Sequence, residues 1–183
     1  MRRSRFPKPY ADAVARLRVF LGFLLVAAFA LLSRPDVMSL VWGLPVATTG
    51  LLLRAWAAGH LAKNERLATS GPYALVRNPL YIGTLLAAAG LAIASRSVLL
   101  AVIFAAVFLL VYLPVIELEE QHLRNLFPEY EEYAARVPML WPRPRTPLGS
   151  ERFRWSLYLR NLEYQALAAF AAAVALLVWK ARP

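Results

Sequence analysis

Residues 79–116 read PLYIGTLLAAAGLAIASRSVLLAVIFAAVFLLVYLPVI, and Arg96 is the only charge among them, dividing uncharged runs of 17 and 20 residues. A helix needs about 20 apolar residues to cross a hydrocarbon core, so the second run spans by itself. Ser95-Arg96-Ser97 leaves room only for a tight turn, which predicts a helical hairpin. Further uncharged runs lie at 19–33, 37–53 and 164–179, of 15, 17 and 16 residues. Each is short alone, and Arg18, Arg34, Arg54 and Lys180 lengthen them by carrying their charges outward on apolar stems. The expected fold is all-α, a polytopic membrane protein of about five spans, with Pro45 and Pro114 kinking the second and fourth.

Composition agrees. Of 183 residues, 60% are hydrophobic and 17% charged, and the mean hydropathy is +0.49. A water-soluble domain of this size needs more charge than that to cover itself. The absence of cysteine excludes disulfides, thiolate metal sites, iron–sulfur clusters and a cysteine nucleophile. The net charge of +10 raises nucleic acid as a partner, but the placement of the basic residues argues against it. Sixteen lie before the first span, before the third, or between the fourth and fifth, and four (Arg34, Arg96, Lys180 and Arg182) lie in the remaining segments. That asymmetry puts the N-terminus in the cytoplasm, orients the chain as a multi-pass protein of the cell membrane, and directs the basic edges to anionic membrane lipids. Ala28-Phe29-Ala30 resembles a signal-peptidase site, yet the long basic head and quick return to the membrane favour an uncleaved first helix.

The expected organisation is one membrane-embedded domain: a basic cytoplasmic head at 1–18, four spans within 19–116, a cytoplasmic segment at 117–162 and a fifth span at 163–180. The proline-rich stretch 138–147 cannot be helical throughout and reads as an extended loop.

Two polar segments face the cytoplasm in this scheme. The first runs from Glu65 through Ser70-Gly71-Pro72-Tyr73 to Arg77-Asn78-Pro79-Leu80-Tyr81-Ile82-Gly83. One reading makes it a turn, an N-cap at Asn78 and a helix opened by Pro79, with Tyr73 and Tyr81 in the aromatic belt. The other notes that a helix start offers N–H groups to an anionic group, with Gly71 and Gly83 admitting a ligand close to the backbone. The second segment places Glu117, Glu119 and Glu120 at the membrane boundary, where ionised acids need partners; Arg124 is four residues from Glu120. Leu123, Phe127, Tyr130, Tyr133 and Val137 then follow helical spacing, as in a lid on the membrane surface. His60 and His122 have no second ligand at metal spacing, so no metal site is expected. Arg54, the one charge deep in a hydrophobic stretch, is expected to snorkel or to face substrate.

Taken jointly, Gly71-Pro72-Tyr73, Arg77-Asn78-Pro79-Leu80-Tyr81-Ile82-Gly83 and Glu119-Glu120-x-x-Leu123-x-x-x-Phe127 resemble the isoprenylcysteine carboxyl methyltransferase and phospholipid methyltransferase family of integral membrane enzymes. The resemblance implies S-adenosylmethionine as methyl donor and a lipophilic acceptor delivered from the bilayer. It also implies cofactor contacts from Glu65, Arg66, Leu67, Ala68, Tyr73, Asn78, Pro79, Leu80, Tyr81 and Glu119, where helix entrance and acidic exit come together. Prenylcysteine-modifying members carry an arginine one turn before the first glutamate, at the position of Val115, which argues against a prenylcysteine acceptor. Two other classes fit the same layout: a nicotinamide-dependent membrane reductase of the sterol-reductase kind, against which Glu119-Glu120 favours a methyl donor, and a non-enzymatic scaffold.

Overall fold

A computed structural model describes residues 6–142, 149 and 151–182. The described residues fall mostly in helices joined by turns and loops, with no strand among them. In chain order the elements are α1 (Lys8–Leu32), α2 (Val37–Ala58), α3 (Pro72–Leu75), α4 (Pro79–Ala94) and α5 (Val98–Val107). A π-helical turn (Phe108–Tyr112), α6 (Leu113–Leu126), α7 (Tyr130–Arg136), α8 (Trp155–Arg160) and α9 (Tyr164–Lys180) follow. Three continuous helices, Lys8–Leu32, Val37–Ala58 and Val98–Leu126, are long and apolar enough to cross a membrane. The other two apolar helices, α4 and α9, have 16 and 17 residues. At about 1.5 Å per residue they are shorter than a hydrocarbon core of about 30 Å. The first helix begins at Lys8, eleven residues before the apolar run, because Pro9 suits a first helical turn and the Ala, Arg and Leu that follow favour helix. Of the proline-rich stretch, 138–142 is non-helical as expected, while 143–147 lies outside the described residues.

The chain divides into two compact units, residues 1–47, 88–122 and 173–183 forming one and residues 48–87 and 123–172 the other. The core of the first unit is Phe29, Ala94, Leu100 and Leu177, packed by Leu32, Leu40, Phe104 and Ala173. Its turns are held by polar pairs that a lipid-facing backbone requires. Asp36 Oδ1 accepts from the Ser39 amide at 2.7 Å and Ser39 Oγ accepts from the Asp36 amide at 3.0 Å, a reciprocal cap on α2. The Ser39 amide, with the Arg96 guanidinium ion-paired to the same carboxylate, holds Asp36 below the usual aspartate range. Ser95-Arg96-Ser97 is the expected tight turn from α4 to α5, with Arg96 at φ +52° and Ser97 capping α5. Close packing of α2 on α4 rests on Gly43, Ala47, Gly90 and Ala94: a Cβ at Gly90 would lie 2.6 Å from the Gly43 carbonyl oxygen. Small residues four apart let helix backbones approach this closely.

One expectation about charge is corrected here. Lys180 does not snorkel to water; its Nζ donates to the Ala30 and Ser33 carbonyls at 2.6 and 2.8 Å, satisfying the open end of α1. Pro114 is accommodated by the π turn just before it. Its missing N–H deprives the Leu110 carbonyl of an α-helical donor, and the Tyr10 hydroxyl donates there instead at 2.6 Å.

Candidate functional site

Most of the residues singled out by sequence lie in the second unit, on the chain between α2 and α4 and on α4's first turn. The chain leaves α2 at Ala58 and is fixed at once: Asn161 Nδ2 donates to the Ala58 and Leu61 carbonyls at 3.0 and 2.8 Å, and the Arg154 amide to the Gly59 carbonyl at 2.9 Å. His60 is buried, its Nδ1 3.0 Å from the Trp56 carbonyl and its ring against Trp56 and Phe153. Gly71, at φ +58°, packs on that imidazole, and a Cβ there would lie 2.7 Å from Nε2. The glycine at this turn therefore admits His60, where the sequence suggested a ligand.

Glu65 is exposed and pairs with Arg160 at 2.8 Å; that hydrogen bond, with the positive field of Arg160, Arg154 and Arg66, holds its carboxyl below the ordinary glutamate value. Arg66 pairs with Glu151 at 2.5 Å. Leu67 packs on the cluster of Phe127, Tyr130, Tyr133 and Val137, and Ala68 is half-buried beside it in sequence. Tyr73 is buried, and its carbonyl accepts from the Tyr133 hydroxyl at 2.7 Å.

Asn78 is buried at the entrance to α4. Its carbonyl accepts from the Tyr81 and Ile82 amides at 3.1 and 3.2 Å, which puts it at the N-cap as expected, and its side chain donates to the Met139 carbonyl at 3.4 Å. Pro79 is fully buried, and Leu80 and Tyr81 are half-buried on the first turn. Gly83 is explained by α2: a Cβ would lie 2.6 Å from Arg54 Cγ and 2.7 Å from the Gly50 carbonyl. The two glycines of the first segment are thus demanded by packing within the unit.

The expected lid has a definite attachment. Arg77 Nη1 donates to the Ala134 and Val137 carbonyls, each at 2.9 Å, and the Arg77 amide donates to the Pro138 carbonyl at 2.9 Å. The C-terminal end of α7 is capped by the residue that precedes Asn78. Arg124, which sequence offered to Glu120, donates to Glu131 at 2.8 Å and lies over the Tyr130 ring at 5.5 Å. Arg54 neither snorkels nor presents a free guanidinium. Its Nε and Nη2 grip both oxygens of Glu163, at 2.6 and 3.0 Å, because a desolvated charge of one sign needs the other. Sequence reasoning missed Glu151, Arg160, Asn161 and Glu163, all remote along the chain from the groups they bind.

Glu119 belongs to the first unit, on α6. It is half-buried, and no described residue forms a hydrogen bond or ion pair with its carboxylate. Glu120 is buried and His122 exposed on the same helix. Among the described residues no group of three His, Asp or Glu side chains gathers as metal ligands do.

The sequence profile of the phospholipid methyltransferase family matches residues 17–130. The chain belongs to that family. The matched span contains the first polar segment whole and the second as far as Tyr130. A cobalt-zinc-cadmium resistance protein, CzcN, of Cupriavidus metallidurans is 42% identical over 123 residues, covering 66% of this chain and 55% of its own. A nickel-cobalt-cadmium resistance protein, NccN, of Alcaligenes xylosoxydans xylosoxydans is 39% identical over 103 residues, covering 55% of this chain and 47% of its own. The chain therefore spans about half the length of these relatives. No solved structure matches.

Proposed function

We propose that this membrane protein is an S-adenosylmethionine-dependent methyltransferase acting on a lipophilic acceptor that reaches it from the bilayer. The observation carrying this reading is the family match, which takes in the first polar segment and then the second as far as Tyr130. Each chemical group of such a donor has a counterpart in type among the residues that the resemblance names. Its ammonium and ribose hydroxyls need an acceptor, and Glu119 is a half-buried carboxylate without a partner among the described residues. Its carboxylate needs donors, and α4 opens with first-turn amides behind Asn78. Its adenine needs a flat border, for which Tyr73 and Tyr81 are the aromatic side chains of the segment.

Once bound, the donor supplies an electrophilic methyl group on a sulfonium. The chain's part is alignment, which suffices for an acceptor that is already an anion. Glu65, Arg66, Leu67 and Ala68 would border the donor, and Pro79 and Leu80 would fix the helix start against it. An amine acceptor must also lose a proton, which the Glu120 carboxylate or the His122 imidazole would take. Val115, where prenylcysteine-modifying relatives carry arginine, leaves that position without a cation for a carboxylate acceptor.

Calorimetric titration of the purified chain in lipid nanodiscs with S-adenosylmethionine, with NADPH in parallel, tests the reading. Glu119→Ala should weaken donor binding by about tenfold or more, the worth of one charge-assisted hydrogen bond. Unchanged affinity removes Glu119 from the site, and binding of NADPH alone would replace the methyltransferase with a reductase. Incubation with labelled donor and host lipid extract then identifies the acceptor. We place the N-terminus and the two polar segments on the cytoplasmic side from the basic asymmetry, and impermeant labelling of a cysteine introduced at Thr69 in whole cells checks this. The relatives' names attach them to metal resistance; a corresponding role here would be methylation of a component of such a system, tested by metal tolerance of a strain lacking the gene.

A further inference from the structure

The guanidinium of Arg54 is committed on every side. Beyond the two bonds to Glu163, its Nη1 meets Thr84 Oγ1 at 2.5 Å and the Leu80 carbonyl at 3.5 Å, while the Thr84 hydroxyl itself donates to that same carbonyl at 2.9 Å. Glu163 is 6% exposed and stands immediately before α9; Thr84 and Leu80 belong to the first turns of α4. Three helices are thereby tied at one guanidinium, and the stem that carries it fits only because residue 83 is glycine. Replacing a buried ion pair by well-packed hydrophobic side chains is often neutral or stabilising, so a charge kept within an apolar helix points to a role beyond stability.

We propose that Arg54 is a positioning residue: locked to Glu163, it holds the first turns of α4 through Leu80 and Thr84, and so fixes the donor-contacting residues Leu80 and Tyr81. As regards the donor, this rests on the methyltransferase reading. The clamp itself does not.

The test uses the full chain, which has no cysteine of its own. Ile82→Cys places a reporter on the held turn, and its rate of maleimide modification is measured without any nucleotide. In that background Arg54→Met with Glu163→Met replaces the pair by apolar side chains of similar length, and Thr84→Val removes one anchor while leaving the ion pair. Both should speed labelling severalfold, with thermal unfolding within a few degrees of the parent. In the cysteine-free chain both should raise the dissociation constant for S-adenosylmethionine, the double variant by about tenfold or more. Arg54→Lys keeps the charge but loses the fork, and should not restore tight binding. Unchanged labelling in both variants overturns the clamp. Faster labelling with unchanged donor affinity overturns the positioning role. If the parent chain binds no donor, the methyltransferase reading falls and labelling alone decides the clamp. Should the double variant fail to fold, Thr84→Val carries both readouts.

Discussion

Gly90→Ala should destabilise the protein although alanine is the better helix former, and Gly22→Ala should not. At Gly90 an added methyl would lie 2.6 Å from the Gly43 carbonyl oxygen and 2.7 Å from Ala47 Cα, both parts of a helix backbone and unable to swing aside. Ordinary contact begins at 3.4 Å, so relieving the Gly43 oxygen alone would part α2 and α4 locally by 0.8 Å (3.4 less 2.6), and the Ala47 amide nitrogen, closer still, demands more. Forcing one methyl into a packed interface costs about 1–3 kcal/mol. Separation also weakens dispersion along the seam, whereas the gain from replacing glycine in a helix is about 1 kcal/mol. The net expectation is a loss of up to about 2 kcal/mol, and about 1–3 kcal/mol relative to Gly22→Ala, which makes the same propensity gain. At Gly22 nothing lies within 4 Å of the added methyl, so the propensity gain stands alone. Unfolding of the two variants in mixed micelles by denaturing detergent, followed by circular dichroism, gives the comparison directly. If Gly90→Ala unfolds at the same detergent fraction as Gly22→Ala or later, the close approach of α2 to α4 is wrong.

Removing the Tyr10 hydroxyl by Tyr10→Phe leaves the Leu110 carbonyl without that donor and should cost about 1 kcal/mol in the same assay, with parental stability refuting its role at the π turn. Arg77→Ala takes the cap from the end of α7, a helix of seven residues that cannot stand alone. Amides 133–137 should then exchange hydrogen faster while those of α2 keep parental rates. For Glu65 the folded value is lowered from the ordinary 4.5, chiefly by the Arg160 hydrogen bond. A depressed carboxyl contributes stability that is complete above its unfolded value and is lost as pH falls through the folded one, so the loss lies below pH 4.5. Glu65→Gln should flatten that part of the pH dependence, and an unaltered acid limb would show that the pair contributes nothing there.

The architecture was legible in the sequence because lipid admits little else: long uncharged runs must be helices when no water can satisfy the backbone. The same local rules fixed the turn at Arg96 and the cap at Asn78, where the deciding groups are a few residues apart. The resemblance carried by the segments around Asn78 and Glu119 likewise led to the family. Small residues at 43, 47, 50 and at 83, 87, 90, 94 carried a legible sign of close helix packing, overlooked because each merely looked apolar.

Tertiary structure decided the partners of the charges. Arg54 and Lys180 both read as snorkelling side chains, since local sequence offers them only an apolar stem and a nearby end of helix. Folding instead brings Glu163 to Arg54 and the end of α1 to Lys180, from 109 and 147 or more residues away. Gly71 and Gly83 belong to the same lesson: glycine in sequence announces that something comes close, and only the folded chain says that it is His60 and Arg54. A backbone's hydrogen-bonding needs are local and can be read residue by residue, whereas a buried charge is answered by whatever the fold carries to it.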